Sequence, residues 1–301
     1  MISSLRASDQ QFLNSLNRVG EKMARAQRQI STGIRMARVS DDPDQVSTLL
    51  NARANLSGAK QIQSNLGRVT AEVNAGEQAL QSAVQLFERA RTLGAQGVTG
   101  TEDAASRKVT GQEVGAIMEQ LTGLAGTQVE GRYIFAGDAD QQVPYTIDLS
   151  LPTPVSSYLG ATSTRLVQHP NGTTFQAAQT AQEIFDSPTP GASVFSTLSA
   201  LRDGLLANDQ TAIRAALDGL TSAGDHLNSE LAFYGSYQNK ISQASDFGQN
   251  LQLQLTTQIS GLEDADATQA ILELNQGQTQ QQAALTSRAR LPRSTLFDFL
   301  G

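Results

Sequence analysis

Residues 29–50 read QISTGIRMARVSDDPDQVSTLL and predict where one helix ends and the next begins. The STG segment interrupts the helical pattern that precedes it, and the DDP segment follows eight residues later. Asp42 is suited to cap the N-terminus of a helix, and Pro43 suits the first helical position because its φ is fixed and it has no N–H. We therefore predict a turn followed by a helix, with Asp41, Asp42 and Pro43 as the helix-start signature.

Before this turn, apolar residues recur at steps of seven, four and three, which is the heptad spacing of a helix packed along its length. The seam consists of Leu5, Phe12, Leu16, Val19, Met23 and Ile30. These six residues are predicted to form one half of an assembly surface.

After the turn, helical periodicity continues over about residues 44–96, and a return helix is expected to run to about Glu130. The first of these helices would be roughly 80 Å long at 1.5 Å per residue. Because such a length exceeds that of ordinary globular helices, the helix must pack in a bundle or a coiled coil. Periodicity returns from Val194 to Leu262.

Residues 139–191 contain six of the eight prolines and short strand-like runs around Asn171-Gly172, a strong hairpin signal. This composition predicts a β-rich insertion. The fold class is therefore mainly α: a long antiparallel helical rod with coiled-coil paired terminal helices and a small inserted β-rich domain.

No constellation for catalysis is visible in the sequence. The chain has no cysteine, and its two histidines are far apart, so a Zn or Cu site is disfavoured. Phosphate-binding, dinucleotide-binding and nucleophile-elbow motifs are absent. We expect His169 at the surface and His226 in a solvated or capping position. No enzyme activity, cofactor or metal is predicted.

The net charge of −7 is unevenly distributed, because residues 1–40 hold seven basic and two acidic side chains. A basic segment occurs in nucleic-acid-binding proteins. Basic residues on solvated helix faces, or facing the acidic C-terminal segment, are the commoner case, so no nucleic-acid partner is expected. The sequence has no hydrophobic leader and no membrane-length apolar run, which predicts no membrane partner and no cleaved signal peptide.

Residues 293–301 read RSTLFDFLG, an unusually apolar segment in a chain with 5% aromatic residues. Its large apolar residues are Leu296, Phe297, Phe299 and Leu300. They either dock on the first helix of the same chain or pack against other chains. The periodicity of the sequence does not distinguish docking within the chain from packing against other chains. The density of apolar side chains slightly favours packing against other chains.

The quoted stretch 29–50 resembles the N-terminal signature of the bacterial flagellin family. SGLEDADATQAILELNQGQTQQQAAL, residues 260–285, resembles the C-terminal signature. GRYIFAGD before the insertion and STLFDFL at the end are similar to motifs of the hook-associated branch of that family. The domain-junction motif comprises Gly131, Arg132, Tyr133, Phe135 and Gly137.

The resemblance implies three parts. Residues 1–38 with 264–301 would form the terminal coiled coil, residues 39–138 with 192–263 the helical rod, and residues 139–191 the outer β-rich domain.

It also implies a structural adaptor that forms a homo-oligomeric ring between hook and filament. Its partners would be the first hook–filament junction protein on the hook side, flagellin on the filament side and a cytosolic export chaperone at the C-terminal segment. The protein would be extracellular and leave through the flagellar type III export channel without a cleaved signal peptide. A short filament flagellin, or a monomeric helical binding module outside the flagellum, are the alternatives.

Overall fold

The computed structural model describes residues 2–36, 38, 42–100, 102–187 and 191–289, with side chains from residue 9 onward. The protein is mostly helical with two small antiparallel strand pairs, which confirms the predicted fold class. The elements in chain order are α1 (Ile2–Thr32), α2 (Pro43–Gly97), α3 (Ala104–Ala125), β1 (Gln128–Val129), β2 (Arg132–Tyr133), β3 (Leu166–Gln168), β4 (Thr174–Gln176), α4 (Ala181–Phe185), α5 (Val194–Leu206), α6 (Gln210–Glu263) and α7 (Ala267–Ala289).

Helix α2 begins at Pro43, as the helix-start signature predicts, and ends at Gly97. The predicted end of the return helix near Glu130 is wrong, because α3 ends at Ala125. The N–H of Gly126 caps the helix, and the chain then turns within a β1–β2 hairpin. Glu130 and Gly131 occupy that turn with φ of 52° and 77°, values typical of a two-residue hairpin turn and incompatible with a helix.

The chain forms two compact units, residues 1–58 with 252–301 and residues 59–251. In the first unit, α1 and α7 pack antiparallel, with Met23 beside Gly277 and an isolated antiparallel bridge between Ile34 and Asp264. Short backbone hydrogen bonds flank the bridge, from Arg35 N to the carbonyl oxygen of residue 263 (2.6 Å) and from residue 265 N to that of residue 33 (2.8 Å).

The second unit contains one continuous hydrophobic core. Its largest fully buried side chains are Leu66, Leu80, Phe87, Met118, Leu121, Phe135, Ile184, Phe185, Leu198, Leu201, Leu205 and Tyr234. Helices α2 and α6 approach closely within this core where Gly76 faces the Tyr234 ring. A Cβ atom on residue 76 would lie 2.5 Å from Tyr234 Cε1, so only glycine fits without movement.

The described residues between 139 and 191 contain little regular structure. Their regular elements are the β3–β4 hairpin, an isolated bridge between Ile147 and Val155, and the short helix α4. A hairpin forms around Asn171-Gly172 as predicted, with φ of 92° at Gly172. Its turn is closed by Gly172 N, which donates to the carbonyl oxygen of His169 (2.9 Å), so Pro170 and Asn171 are the central residues. The Asn171 Oδ1 atom accepts hydrogen bonds from Thr173 N (3.0 Å) and Thr173 Oγ1 (2.7 Å), which closes the turn.

Candidate assembly surface

The predicted seam of α1 lies along the contact with α7. Phe12, Leu16, Val19 and Met23 are half-buried, whereas Ile30 is 38% exposed. Leu5 falls within α1, at a position whose side chain is outside the described residues. The most deeply buried residue of α1 is Ala26, which the seam did not include because alanine is a weak hydrophobic signal.

Helix α7 contributes small residues to this contact. Ala270 and Gly277 are its buried residues, and the absence of a side chain at Gly277 makes room for Met23. Near the C-terminal end of α7, the Arg288 guanidinium forms an ion pair with Asp9 and lies over the Phe12 ring, 5.3 Å from its centroid. The α1–α7 contact is therefore narrow, and an ion pair lies at the end of it that includes the C-terminal end of α7.

Large apolar side chains of α7 point away from α1. Leu272 and Leu285 are 56% and 51% exposed, Ile271 is 48% exposed, and on α1 Leu13 is 52% exposed. Residues 271 and 285 are 14 positions apart, so they lie on nearly the same face of the helix. Contacts among the described residues leave that face unburied, and burying one such side chain would gain roughly 1.5–3 kcal/mol.

The two segments that resemble family signatures meet in space. Gly33, in the STG segment, has φ of 71°, which directs the chain toward residues 262–265. Arg35 Nη2 donates a hydrogen bond to the carbonyl oxygen of Leu262 (2.7 Å), and Arg53 forms an ion pair with Glu263 (2.5 Å). These contacts join the start of α2 to the connection between α6 and α7. Asp42 and Pro43 lie at that start, and Asp41 is outside the described residues.

Leu296, Phe297, Phe299 and Leu300 lie outside the described residues. Their role in assembly stays a prediction.

The domain-junction motif lies in the second unit. Arg132 and Tyr133 form β2, and Phe135 is buried, with its carbonyl oxygen accepting from the Tyr158 hydroxyl (3.1 Å). Gly137 has φ of 63°, and a Cβ atom there would lie 2.6 Å from the Ser163 carbonyl oxygen. The motif therefore holds residues 158–163 against the end of the β1–β2 hairpin, which is a structural function.

The buried polar groups of the second unit also stabilise structure. Burial raises the pKa of Tyr158 to about 12. Burial, together with the hydrogen bond that the Tyr145 hydroxyl donates to Asp186 (2.7 Å), raises the pKa of Tyr145 as well. Among the described residues, no group of three or more His, Cys, Asp or Glu side chains is arranged to hold a metal ion.

His226 is half-buried, and its Nε2 atom lies 2.9 Å from the carbonyl oxygen of Glu183 in the last turn of α4, a contact of the predicted capping kind. The contact forms because the segment containing α4 folds over this face of α6. His169 lies at the hairpin, where its ring centroid is 5.3 Å from that of Phe247.

Comparisons with known proteins match most of the chain. A model of the bacterial flagellin N-terminal helical region matches residues 2–140, and one of the bacterial flagellin C-terminal helical region matches residues 217–300. Flagellar hook-associated protein 3 of Escherichia coli K12 is 26% identical over 296 residues, covering 89% of this chain and 90% of that protein. Flagellin B of Rhizobium meliloti is 25% identical over 113 residues, covering 38% of this chain and 28% of that protein.

Solved structures share the fold. A flagellar hook-associated protein structure from Vibrio parahaemolyticus aligns with a TM-score of 0.65 and 21% identity, covering 74% of this chain and 100% of that chain. Hook-associated protein 3 from Legionella pneumophila aligns with a TM-score of 0.61 and 15% identity, covering 70% and 98%. Within the described part of the chain, no helix is both long and apolar enough to cross a membrane.

Proposed function

Because the chain belongs to the bacterial flagellin family, with a structural role in the flagellum, we propose that it is the subunit joining hook to filament. The similarity to hook-associated protein 3 extends over nine-tenths of both chains, whereas that to Flagellin B covers about a quarter of the latter. This difference favours the junction over the filament.

The observation that carries the proposal is the unburied apolar face of α7. The narrow α1–α7 contact leaves Ile271 and Leu285 exposed on nearly the same face and Leu272 exposed on an adjoining part of the helix, and further copies of the chain would cover them. Two helices that share only a narrow apolar contact are marginally stable in water. The ordering of α1 and α7 would therefore be coupled to assembly into a ring. The tail residues Phe297 and Phe299 would add apolar area to the same interface.

The division into a terminal coiled coil, a helical domain and an outer domain belongs to this proposal. The proposal also includes the partner proteins. These are the first junction protein on the hook side, flagellin on the filament side, and an export chaperone that covers the C-terminal segment before assembly. Export through the flagellar channel, without a cleaved signal peptide, would deliver the protein to the exterior. The family is structural, and we propose no catalytic role.

The test is a Phe297→Ser, Phe299→Ser double variant expressed in cells that lack the wild-type protein. We expect the thermal unfolding of residues 59–251 to be unchanged and incorporation at the hook–filament junction to be lost, and motility with it. Leu166→Ser is the matched control, because it removes another apolar side chain, 67% exposed, from the second unit. Normal motility of the double variant would contradict the proposal.

Two further measurements distinguish the alternatives. Antibody labelling only at the hook tip supports the junction, whereas labelling along the filament would identify a filament flagellin. Limited trypsin digestion of the purified chain should rapidly remove both terminal segments, because α1 carries exposed Arg18, Lys22, Arg25 and Arg28. Full protection of both ends in a monomer would instead indicate a self-contained helical module.

A further inference from the structure

A carboxyl group is buried on α6 without a complete set of partners. Glu230 is only 7% exposed, and within the described part of the chain its Oε2 atom has no hydrogen-bond partner. The Gln179 side chain donates a hydrogen bond to Glu230, and its own Oε1 atom is buried and has no hydrogen-bond partner among the described residues. Glu230 Oε2 and Gln179 Oε1 are both acceptors when Glu230 is ionised, so both stay unpaired unless a proton is present.

His226 also presents an acceptor atom to the carboxyl group of Glu230. Its Nε2 atom lies 2.9 Å from the carbonyl oxygen of Glu183, which only accepts, so Nε2 carries the hydrogen. In the neutral ring, Nδ1 is then an acceptor, and it faces Glu230 Oε1 at 3.8 Å. The residues in contact with Glu230 therefore contribute two acceptor atoms, Gln179 Oε1 and His226 Nδ1, and Glu230 Oε2 has no donor.

The other charged groups nearby do not supply that donor. The Glu183 carboxylate accepts hydrogen bonds from Thr180 N (2.9 Å) and Thr180 Oγ1 (3.2 Å) in the capping box of α4, and it adds negative potential. Tyr234 and Tyr237, also on α6, carry no charge because burial raises the pKa of both hydroxyls, and neither hydroxyl donates to Glu230 Oε2.

We propose that Glu230, His226 and Gln179 form a proton-binding site that fastens the segment 179–186 to α6, and that loss of this proton to water loosens the segment. With the proton on Glu230, Oε2 becomes a donor that Gln179 Oε1 or His226 Nδ1 can accept. Without it, acceptors face one another inside the protein, which costs free energy. The site is thus a pH-sensitive contact between the inserted residues and a long helix.

The direction of the pH effect follows from burial. Burial is the largest effect and raises the pKa of Glu230; His226 lowers it, Glu183 raises it, and the hydrogen bond from Gln179 lowers it. A carboxyl group whose pKa is higher in the folded than in the unfolded protein stabilises the fold fully below its ordinary value of 4.5. That contribution is lost as the pH rises through the pKa of the folded state.

Hydrogen exchange of the full chain between pH 5 and pH 9 tests the proposal, with rates divided by the intrinsic rate at each pH. We expect protection of peptides covering residues 180–187 to fall as the pH rises in the wild type, because the proton that stabilises the segment is lost. Glu230→Gln should abolish the fall, because the amide supplies a permanent donor of the same shape. Asp225→Asn, which removes an exposed carboxylate from the same helix, should behave like the wild type.

Two outcomes would overturn the proposal. One is constant protection across this pH range in the wild type. The other is a fall that persists in Glu230→Gln and disappears in His226→Gln, which would assign the effect to the histidine alone. If Glu230→Gln does not fold, Glu230→Met replaces the carboxyl group by an apolar side chain of similar length, and the same loss of pH dependence is expected.

Discussion

Replacing Gly76 by alanine should destabilise the protein, although alanine favours helices over glycine by about 1 kcal/mol. In the structure, the new Cβ atom would lie 2.5 Å from Tyr234 Cε1 and 3.2 Å from Cζ. Carbon atoms normally pack at about 3.5–4.0 Å, so ring and backbone must separate by roughly 1 Å. The ring has little room to move, because Tyr234 is 1% exposed and its centroid lies 6.2 Å from that of Phe135 and 6.0 Å from that of Tyr237.

The matched control is Gly67→Ala in the same helix. No described atom lies within 4 Å of the position of its Cβ, so this variant should gain the helix propensity without a clash. Overpacking a core costs about 1–3 kcal/mol, and this is the expected difference in unfolding free energy between the two variants. It corresponds to a difference in Tm of roughly 3–10 °C for a unit of this size.

Tyrosine makes the assay specific to the second unit. The five tyrosines all lie within residues 59–251, and the chain has no tryptophan. Urea unfolding followed by tyrosine fluorescence or near-UV circular dichroism therefore reports on this unit. If Gly76→Ala proves as stable as Gly67→Ala, the close approach of α2 to Tyr234 is not a constraint and the reasoning fails. Repeating both variants in a Tyr234→Ala background should abolish the difference between them.

Three other predictions concern separate elements. Arg107 is buried and donates three hydrogen bonds, to the last carbonyl oxygen of α2 and to two loop oxygens, so Arg107→Met should lower the unfolding free energy by about 3 kcal/mol in the tyrosine assay. Lys108→Met at the exposed neighbouring position should change it little. Gly277→Ala should weaken the α1–α7 contact and speed trypsin cleavage of α1, whereas Gly20→Ala, with no described atom within 4 Å of its Cβ, should slow it. The hydrogen bond from the backbone of residue 106 lowers the pKa of Asp103 at the start of α3, so the stability that this carboxylate provides is complete above its ordinary value of 3.8 and lost below it. Asp103→Asn should unfold with less acid dependence, measured by circular dichroism between pH 2 and 5.

Local signals in the sequence predicted element boundaries well where one residue determines them. Pro43 begins α2 as predicted, because proline at the first helical position and a preceding aspartate act over a few residues. Asn171-Gly172 likewise indicates a hairpin turn, in which Pro170 and Asn171 are the central residues. The end of α3 was mispredicted because the β1–β2 hairpin follows within three residues, and its Glu130 adopts a left-handed conformation that non-glycine residues rarely take.

The parts that depend on distant contacts were not predictable. The burial of His226 requires the segment around Glu183, 43 positions earlier, and no periodicity in the sequence encodes that contact. Ala26 and Gly277 are central to the α1–α7 contact because they are small, whereas an apolar seam is recognised by its large residues. The exposure of Ile271 and Leu272, in turn, depends on how α7 is rotated against α1.

The hairpin turn at Asn171 also affects the chemical lifetime of the protein. Asparagine followed by glycine loses ammonia when the glycine nitrogen attacks the side-chain carbonyl carbon and closes a succinimide ring. In the folded hairpin, the Gly172 N–H is held by the carbonyl oxygen of His169 (2.9 Å), and Thr173 holds the Asn171 side-chain oxygen. Ring closure requires these hydrogen bonds to break. The folded turn therefore protects Asn171-Gly172 from the loss of ammonia to which this dipeptide is prone in an unfolded chain.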